Sequence, residues 1–247
     1  MRRREPARRL PLSDGPDTPP IVPTIARGRA LTIVPGAIVA PLRGLATNLA
    51  ADGQLPPVLA LTAALSGEGV TTCALALAAV IANDADETVA LVEANFWHPN
   101  LAAAAGIPGS HGLAEVLGGE IAWQEAMTLA WGGKLALLPA GRLAPERRAA
   151  AARGEALARL VQEIGESYDR IILDVPGILS TTDAVPLASL ADASVLVIRQ
   201  GATPAKDVRQ ALDRLAHLKI LGTVLNATHL LMPKAISELM PGIWEAP

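Results

Sequence analysis

Short apolar runs alternate with stretches compatible with helices from Val58 to Leu225, and this alternation restricts the fold more than any other feature. The apolar runs, which we predict to be strands, are Val58–Leu65, Thr88–Val92, Leu135–Leu138, Ile171–Val175, Ser194–Ile198 and Gly222–Leu225. They are continuously apolar, which is typical of strands buried on both faces of a parallel sheet. The predicted helices between them are Thr72–Asn83, Gly112–Leu117, Pro145–Gly165, Asp183–Leu190 and Ala205–Leu218. A repeated strand–helix–strand order predicts an α/β fold with a doubly wound, mostly parallel sheet.

Length and composition favour one domain with tails at both ends. The chain has 247 residues, of which 51% are hydrophobic, enough for a substantial core. We predict a disordered tail rich in Arg and Pro over 1–30, a helical lead-in over 31–57, an α/β domain over 58–228, and a C-terminal tail over 229–247 that packs on the domain.

The arginines of the N-terminal tail leave a second interpretation open. They are Arg2, Arg3, Arg4, Arg8 and Arg9. Near an anionic membrane leaflet each could contribute about 1 kcal/mol, so a peripheral membrane contact is the alternative to a solvated tail.

The charge, the cysteine content and the lack of long apolar runs indicate which partners and which cellular compartment to expect. The net charge is −3 and the pI about 5.8, whereas a general nucleic-acid binder is usually basic, so we expect no nucleic-acid partner. The single cysteine, Cys73, cannot form a disulfide within the chain, which fits a reducing cytoplasm. No apolar run is long enough for a membrane span, and no apolar stretch follows the basic start, so we expect no secretory signal.

A glycine-rich loop follows the first predicted strand and precedes the first predicted helix. The residues that we predict to bind a nucleotide there are Gly67, Glu68, Gly69, Val70, Thr71 and Thr72. In such a loop, backbone N–H groups and the positive end of the helix dipole hold a phosphate, and the final Ser or Thr holds Mg²⁺. Thr71 has that position.

The lysine that normally precedes the magnesium-binding hydroxyl is replaced by Val70. A charge-assisted hydrogen bond of this kind contributes roughly 1.5–3 kcal/mol, or about 10- to 150-fold in affinity. The loss of rate could be larger, because the lysine opposes charge that develops during phosphoryl transfer. A cation supplied by Arg43, or by another subunit, remains an alternative.

The order of motifs from Val58 to Asn226 resembles the cytoplasmic domain of bacterial tyrosine kinases (BY-kinases) of capsule and exopolysaccharide synthesis, which share a P-loop superfamily with partition and division-site ATPases. The first Walker motif of that family is similar to LTAALSGEGVTT, and its second motif to LVEANFWHPNLAAAAGIPGSHGLAEVLGG. Its Walker B strand is similar to YDRIILDVPG, and its last core strand to LGTVLN. The resemblance implies Thr71, Glu93 and Asp174 as Mg²⁺ ligands, and Asn226 as a residue that reads adenine or serves as a turn residue.

Several positions depart from the kinase pattern. Glu93 and Asn95 stand where the family has two aspartates, and an asparagine cannot act as a base or as a charged ligand. The C-terminal segment contains no tyrosine, and Tyr168 is the single tyrosine of the chain. Of the motif by which the kinases form rings, Arg43 alone is present.

These departures predict a catalytically degenerate BY-kinase-like protein, with no catalytic residue of its own, that acts in the synthesis or export of a surface polysaccharide. The resemblance implies an inner-membrane chain-length or co-polymerase protein as partner, a cytoplasmic location at the inner face of that membrane, and residual binding of ATP or ADP with Mg²⁺. Two alternatives are a weak ATPase or tyrosine kinase of the same system and a partition-type positioning protein.

Overall fold

A computed structural model describes residues 36–109 and 111–227. The tails predicted over 1–30 and 229–247, including the five N-terminal arginines, lie outside these residues. No helix in the described part is long and apolar enough to cross a membrane.

Seven strands form one sheet, and nine α-helices surround it in the part of the chain that is described. The strands are β1 (Val58–Ala63), β2 (Val89–Glu93), β3 (Thr128–Ala130), β4 (Leu135–Leu138), β5 (Arg170–Asp174), β6 (Ala193–Arg199) and β7 (Ile220–Asn226). The helices are α1 (Gly36–Ala51), α2 (Val70–Asp84), α3 (Leu101–Ala105), α4 (Leu113–Leu117), α5 (Trp123–Ala126), α6 (Pro145–Arg153), α7 (Glu155–Gly165), α8 (Ala184–Ala188) and α9 (Ala205–Arg214).

The strand order is β3-β4-β2-β5-β1-β6-β7, and every neighbouring pair is parallel except β3 with β4. Side chains of β1 alternate between two apolar layers. Leu59 and Leu61 pack toward α1, α2 and α3, whereas Ala60 packs toward α4, α7, α8 and α9 on the other face. The predicted doubly wound, mostly parallel α/β sheet is therefore confirmed.

Several elements of the structure differ from the predicted ones. The helix predicted over Pro145–Gly165 is two helices, because Gly154 between α6 and α7 has an extended backbone (φ −75°, ψ 145°). Strand β3 was not predicted, because three residues are too few to show a strand pattern. The lead-in predicted over 31–57 contains α1, whose Val39, Leu42 and Leu49 are buried.

In a sheet of this topology the carboxyl ends of β1, β2, β5 and β6 meet at one edge, and ligands of doubly wound folds bind there. The sequence-predicted site residues all lie at or next to this edge. The order of the central strands is what brings them together, because β5 and β6 flank β1 on either side.

Candidate nucleotide site

The glycine-rich loop lies between β1 and α2. Gly67 and Gly69 have φ values of +82° and +90°, in the left-handed region that residues with a side chain rarely adopt. Gly69 is the residue before α2, so the backbone N–H groups at the start of this helix face the loop. A helix of 15 residues places a partial positive charge there, which favours an anion.

The loop is fastened to the end of β7 by Asn226. Its Nδ2 donates a hydrogen bond to the backbone carbonyl of Glu68 at 2.8 Å. A Cβ atom on Gly69 would lie 2.1 Å from the same Nδ2, so glycine is required for this contact. The side chain of Asn226 is therefore engaged with the loop backbone, and its role in reading adenine stays a prediction.

Glu68, also predicted to bind a ligand, is buried in the protein. Its Oε1 accepts hydrogen bonds from the N–H of Leu65 (3.2 Å) and the hydroxyl of Thr203 (2.8 Å). Its Oε2 is buried and has no hydrogen-bond partner among the described residues. The carboxylate thus holds the loop against the segment that follows β6.

Val70 occupies the position of the missing lysine as the first residue of α2. It is half-buried and packs against the apolar layer between α2 and the sheet. Thr71 beside it is buried, while Thr72 is exposed. The hydrocarbon side chain at this position therefore contributes to the core and offers no charge to a phosphate.

Arg43 does not reach the loop. Its guanidinium pairs with Asp84, the last residue of α2, whereas Val70 is the first. A helix of this length separates the two ends by about 20 Å. The alternative in which Arg43 supplies the missing cation within the same chain is therefore wrong.

Asp174 lies at the end of β5 and is fully buried. Neither carboxylate oxygen has a hydrogen-bond partner within the described residues. Burial raises the pKa of Asp174 to about 8; the Thr71 hydroxyl, which lies nearby without reaching hydrogen-bond geometry, lowers it, and the charge of Glu93 raises it. Buried oxygens without partners beside a hydroxyl fit two ligands of a magnesium ion.

Glu93 ends β2 directly beside Asp174, which is its partner in the β2–β5 pairing. Its carboxylate, however, accepts backbone hydrogen bonds from the N–H groups of Asn100 (2.5 Å) and Leu101 (2.8 Å) through Oε1 and of Ala140 (2.9 Å) through Oε2. Burial raises the pKa of Glu93, and these three N–H groups lower it. The side chain therefore joins the start of α3 to the loop after β4, and its role as a metal ligand stays a prediction.

Considering residues 36–109 and 111–227, no group of three His, Cys, Asp or Glu side chains could hold a metal ion. A magnesium site would therefore depend on Thr71, on Asp174 and on oxygens of the nucleotide itself, which is how Mg²⁺ is commonly bound beside phosphates.

Arg199 was not predicted from the sequence. It is the last residue of β6, and its Nη1 lies 3.5 Å from the backbone carbonyl oxygen of Gly67 in the loop. The sequence signal is a charged residue directly after the predicted strand Ser194–Ile198. The pattern could not identify Arg199 as a site residue, because it does not reveal that β6 lies next to β1.

Tyr168 lies far from the loop, before the amino end of β5. Its ring meets that of Trp123 at 6.5 Å with an interplanar angle of 63°. Burial raises the pKa of Tyr168. A strand of this length places the tyrosine on the order of 15 Å or more from the loop at the other edge of the sheet.

Comparison with known proteins places these observations in a family. A family model described as "Cellulose biosynthesis protein BcsQ" matches residues 57–226, which is more than half of the chain. The succinoglycan biosynthesis transport protein ExoP of Rhizobium meliloti is 31% identical over 142 residues, which cover 56% of this chain and 18% of ExoP. The tyrosine-protein kinase YwqD of Bacillus subtilis is 32% identical over 144 residues, covering 58% of this chain and 60% of YwqD.

A solved structure agrees with these relatives. The kinase domain of VpsO superposes with a TM-score of 0.72 at 28% sequence identity, covering 78% of this chain and 95% of that domain. The sheet and the surrounding helices are therefore those of the P-loop fold of bacterial tyrosine kinases. The chain spans less than two thirds of the length of the two curated relatives.

Proposed function

We propose that this chain, which belongs to the BcsQ family of cellulose biosynthesis proteins, acts in the synthesis or export of an extracellular polysaccharide as a kinase-like protein that has lost tyrosine-kinase chemistry. The relatives support the system: one is a transport protein of succinoglycan biosynthesis, and another is a tyrosine-protein kinase. The role that we assign here is that of a cytoplasmic regulator or structural partner.

The observation that carries this proposal is the position of Val70. At the start of α2, where a lysine would face the phosphates, an apolar side chain packs against the core. Catalysis of phosphoryl transfer depends on positioning the reactants and on placing charge at the transition state, and the isopropyl group of a valine supplies no charge. Glu93 adds to this argument, since both of its carboxylate oxygens already accept backbone N–H groups.

The partner in this proposal is an inner-membrane co-polymerase or chain-length protein, bound through its cytoplasmic part. In ExoP, the segment similar to this chain makes up 18% of a transport protein, so there the fold is covalently joined to much additional protein. We propose that the corresponding association is non-covalent here, and that it places the protein at the inner face of the membrane.

Complementation of a deletion strain tests this role. Variants Thr71→Ala and Asp174→Ala remove the two side chains best placed to bind Mg²⁺, and Thr72→Ala, one residue further along α2, is the matched control because Thr72 is exposed. We expect all three variants to restore polymer to near the wild-type amount, with protein level checked by immunoblot. If stable Thr71→Ala or Asp174→Ala protein fails to complement while Thr72→Ala succeeds, nucleotide chemistry is essential and the proposal is wrong.

A weak ATPase or kinase of the same system is the second candidate, and Asp174 is the observation that favours it. A fully buried acid whose two oxygens lack partners is costly to the fold, and a magnesium ion would satisfy both. Release of phosphate from MgATP by the purified chain, abolished by Asp174→Asn, would favour this candidate over the first.

A further inference from the structure

We propose that Arg199 supplies the positive charge that Val70 no longer provides, so that the loop remains a binding site for the phosphates of a nucleoside di- or triphosphate. The cation reaches the loop from the strand next to β1 instead of from helix α2. This inference concerns ligand binding and holds whether or not the protein acts in polysaccharide export.

The order of the strands gives Arg199 its access. Strand β1, which leads into the loop, is flanked by β5 on one side and β6 on the other. In the β1–β6 pairing Ala63 lies opposite Val197, so Arg199, two residues further along β6, lies beside the start of the loop. The two neighbouring strands therefore end in opposite charges, with Asp174 on one side of the loop and Arg199 on the other.

The end of β6 is held close to the loop by hydrogen bonds that do not use the guanidinium. The backbone N–H of Arg199 donates to the hydroxyl of Thr203 at 3.2 Å, and that hydroxyl donates to the carboxylate of Glu68 in the loop. On its other side, Arg199 is the partner of Asn226 in the β6–β7 pairing, and Asn226 is itself bonded to the loop. The backbone that carries Arg199 is thus fixed, while its side chain is exposed.

The guanidinium itself has no acidic partner in the described part of the chain. The four ion pairs found there use Arg43, Lys134, Arg153 and Arg170. The contact of Arg199 with the carbonyl of Gly67, at 3.5 Å, lies at the outer limit for a hydrogen bond. A phosphate accepts shorter, charge-assisted and bidentate bonds from a guanidinium, so an anion would displace this weak contact.

Asp174 gives independent evidence that the site is built for a ligand. Its side chain is completely buried, adjoins Thr71 of the loop, and has no hydrogen-bond partner on either oxygen among the described residues. Such oxygens would suit a magnesium ion that accompanies the phosphates, while the guanidinium of Arg199 would bind the phosphates directly. Glu68, the acid within the loop, does not oppose this arrangement, because its Oε1 is bonded on the protein side to Leu65 and Thr203.

Equilibrium binding of MgATP and MgADP to the full chain tests the proposal, by calorimetry or by anisotropy of a fluorescent analogue. We expect Arg199→Ala and Arg199→Gln to weaken binding by about 10- to 150-fold, and Arg199→Lys to weaken it less. The control is Arg209→Ala, which removes the same charge from an exposed position on α9; its effect should stay within about twofold, as expected for an exposed charge. Thermal unfolding verifies that each variant folds.

Three results would overturn the proposal: no binding by the wild-type chain at millimolar nucleotide, equal affinity of Arg199→Ala and wild type, or an equal loss in Arg209→Ala. A double variant adds a sharper criterion. If both cations serve the same phosphates, Val70→Lys should restore binding to Arg199→Ala, and the two changes should be non-additive. If Val70→Lys tightens nucleotide binding in the wild-type background but does not restore it in the Arg199→Ala background, Arg199 does not contact the same phosphates and the inference is wrong.

Discussion

Replacing Asp174 with asparagine should stabilise the protein. Burial raises the pKa of this carboxyl from 3.8 to about 8, so near neutral pH the native state must hold a proton that the unfolded chain has released. Each pKa unit corresponds to about 1.4 kcal/mol, so the cost near pH 7 is at most about 4 kcal/mol. Asparagine carries no charge and avoids this cost. Because the effective dielectric constant at buried protein sites is higher than that of dry protein, the penalty is smaller than this bound, and we expect a gain of about 1–3 kcal/mol in the free energy of unfolding.

The raised pKa of Asp174 also determines how the gain in stability of Asp174→Asn should vary with pH. The pKa of Asp174 is higher in the native state than in the unfolded chain. The loss of stability that this carboxyl causes is therefore greatest above about pH 8, and it disappears as the pH falls through the pKa of the unfolded chain, 3.8. The advantage of Asp174→Asn should therefore be large near pH 8 and absent near pH 4.

Urea unfolding in EDTA at several pH values is the assay, with Asp183→Asn as a control of opposite sign. Asp183 is also buried, but its carboxylate pairs with Arg153, so neutralising it should destabilise the protein. Equal or lower stability of Asp174→Asn near pH 8, or a gain that does not vary with pH, would refute the reasoning.

Three further outcomes are expected. Val70→Lys should tighten MgATP binding by about 10- to 150-fold in calorimetry, and no gain would mean that other features close the pocket. The purified protein should not phosphorylate Tyr168 when incubated with MgATP, because that residue lies at the opposite edge of the sheet from the loop; phosphotyrosine detected there by mass spectrometry would contradict this. Glu93→Gln should lower the free energy of unfolding by about 1–3 kcal/mol, because the amide nitrogen of glutamine cannot accept a backbone N–H. An unchanged urea midpoint relative to the exposed control Glu163→Gln would show that these hydrogen bonds contribute little.

The central strands could be predicted because they are buried on both faces and therefore appear as continuous apolar runs. The run over Ile171–Val175 corresponds to β5, and the run over Ser194–Ile198 corresponds to β6. Elements with a weaker pattern were missed. Strand β3 has three residues and lies at an edge, where Leu129 remains exposed. Helices α3 and α5, of five and four residues, were also not predicted.

The candidate site was harder to predict, because hydrogen-bond partners distant in sequence decide what each side chain can do. The sequence places Glu93 after a strand, but not the N–H groups of Asn100 and Ala140 that occupy its carboxylate. It places Asn226 at a strand end, but not the loop carbonyl to which it binds. Arg199 became a candidate after the strand order was known, since no local pattern specifies which strands are neighbours.

The contact between Asn226 and the loop couples two parts of the molecule thermodynamically. The amide nitrogen of Asn226 fits where Gly69 lacks a Cβ atom, so this contact forms only when the loop and the end of β7 have these relative positions. A molecule that displaces the end of β7 would therefore change the affinity of the loop for phosphate. By reciprocity, occupancy of the loop would change the affinity for that molecule by the same factor. A nucleotide site without catalytic activity could in this way make the binding of a partner depend on the cellular nucleotide concentration.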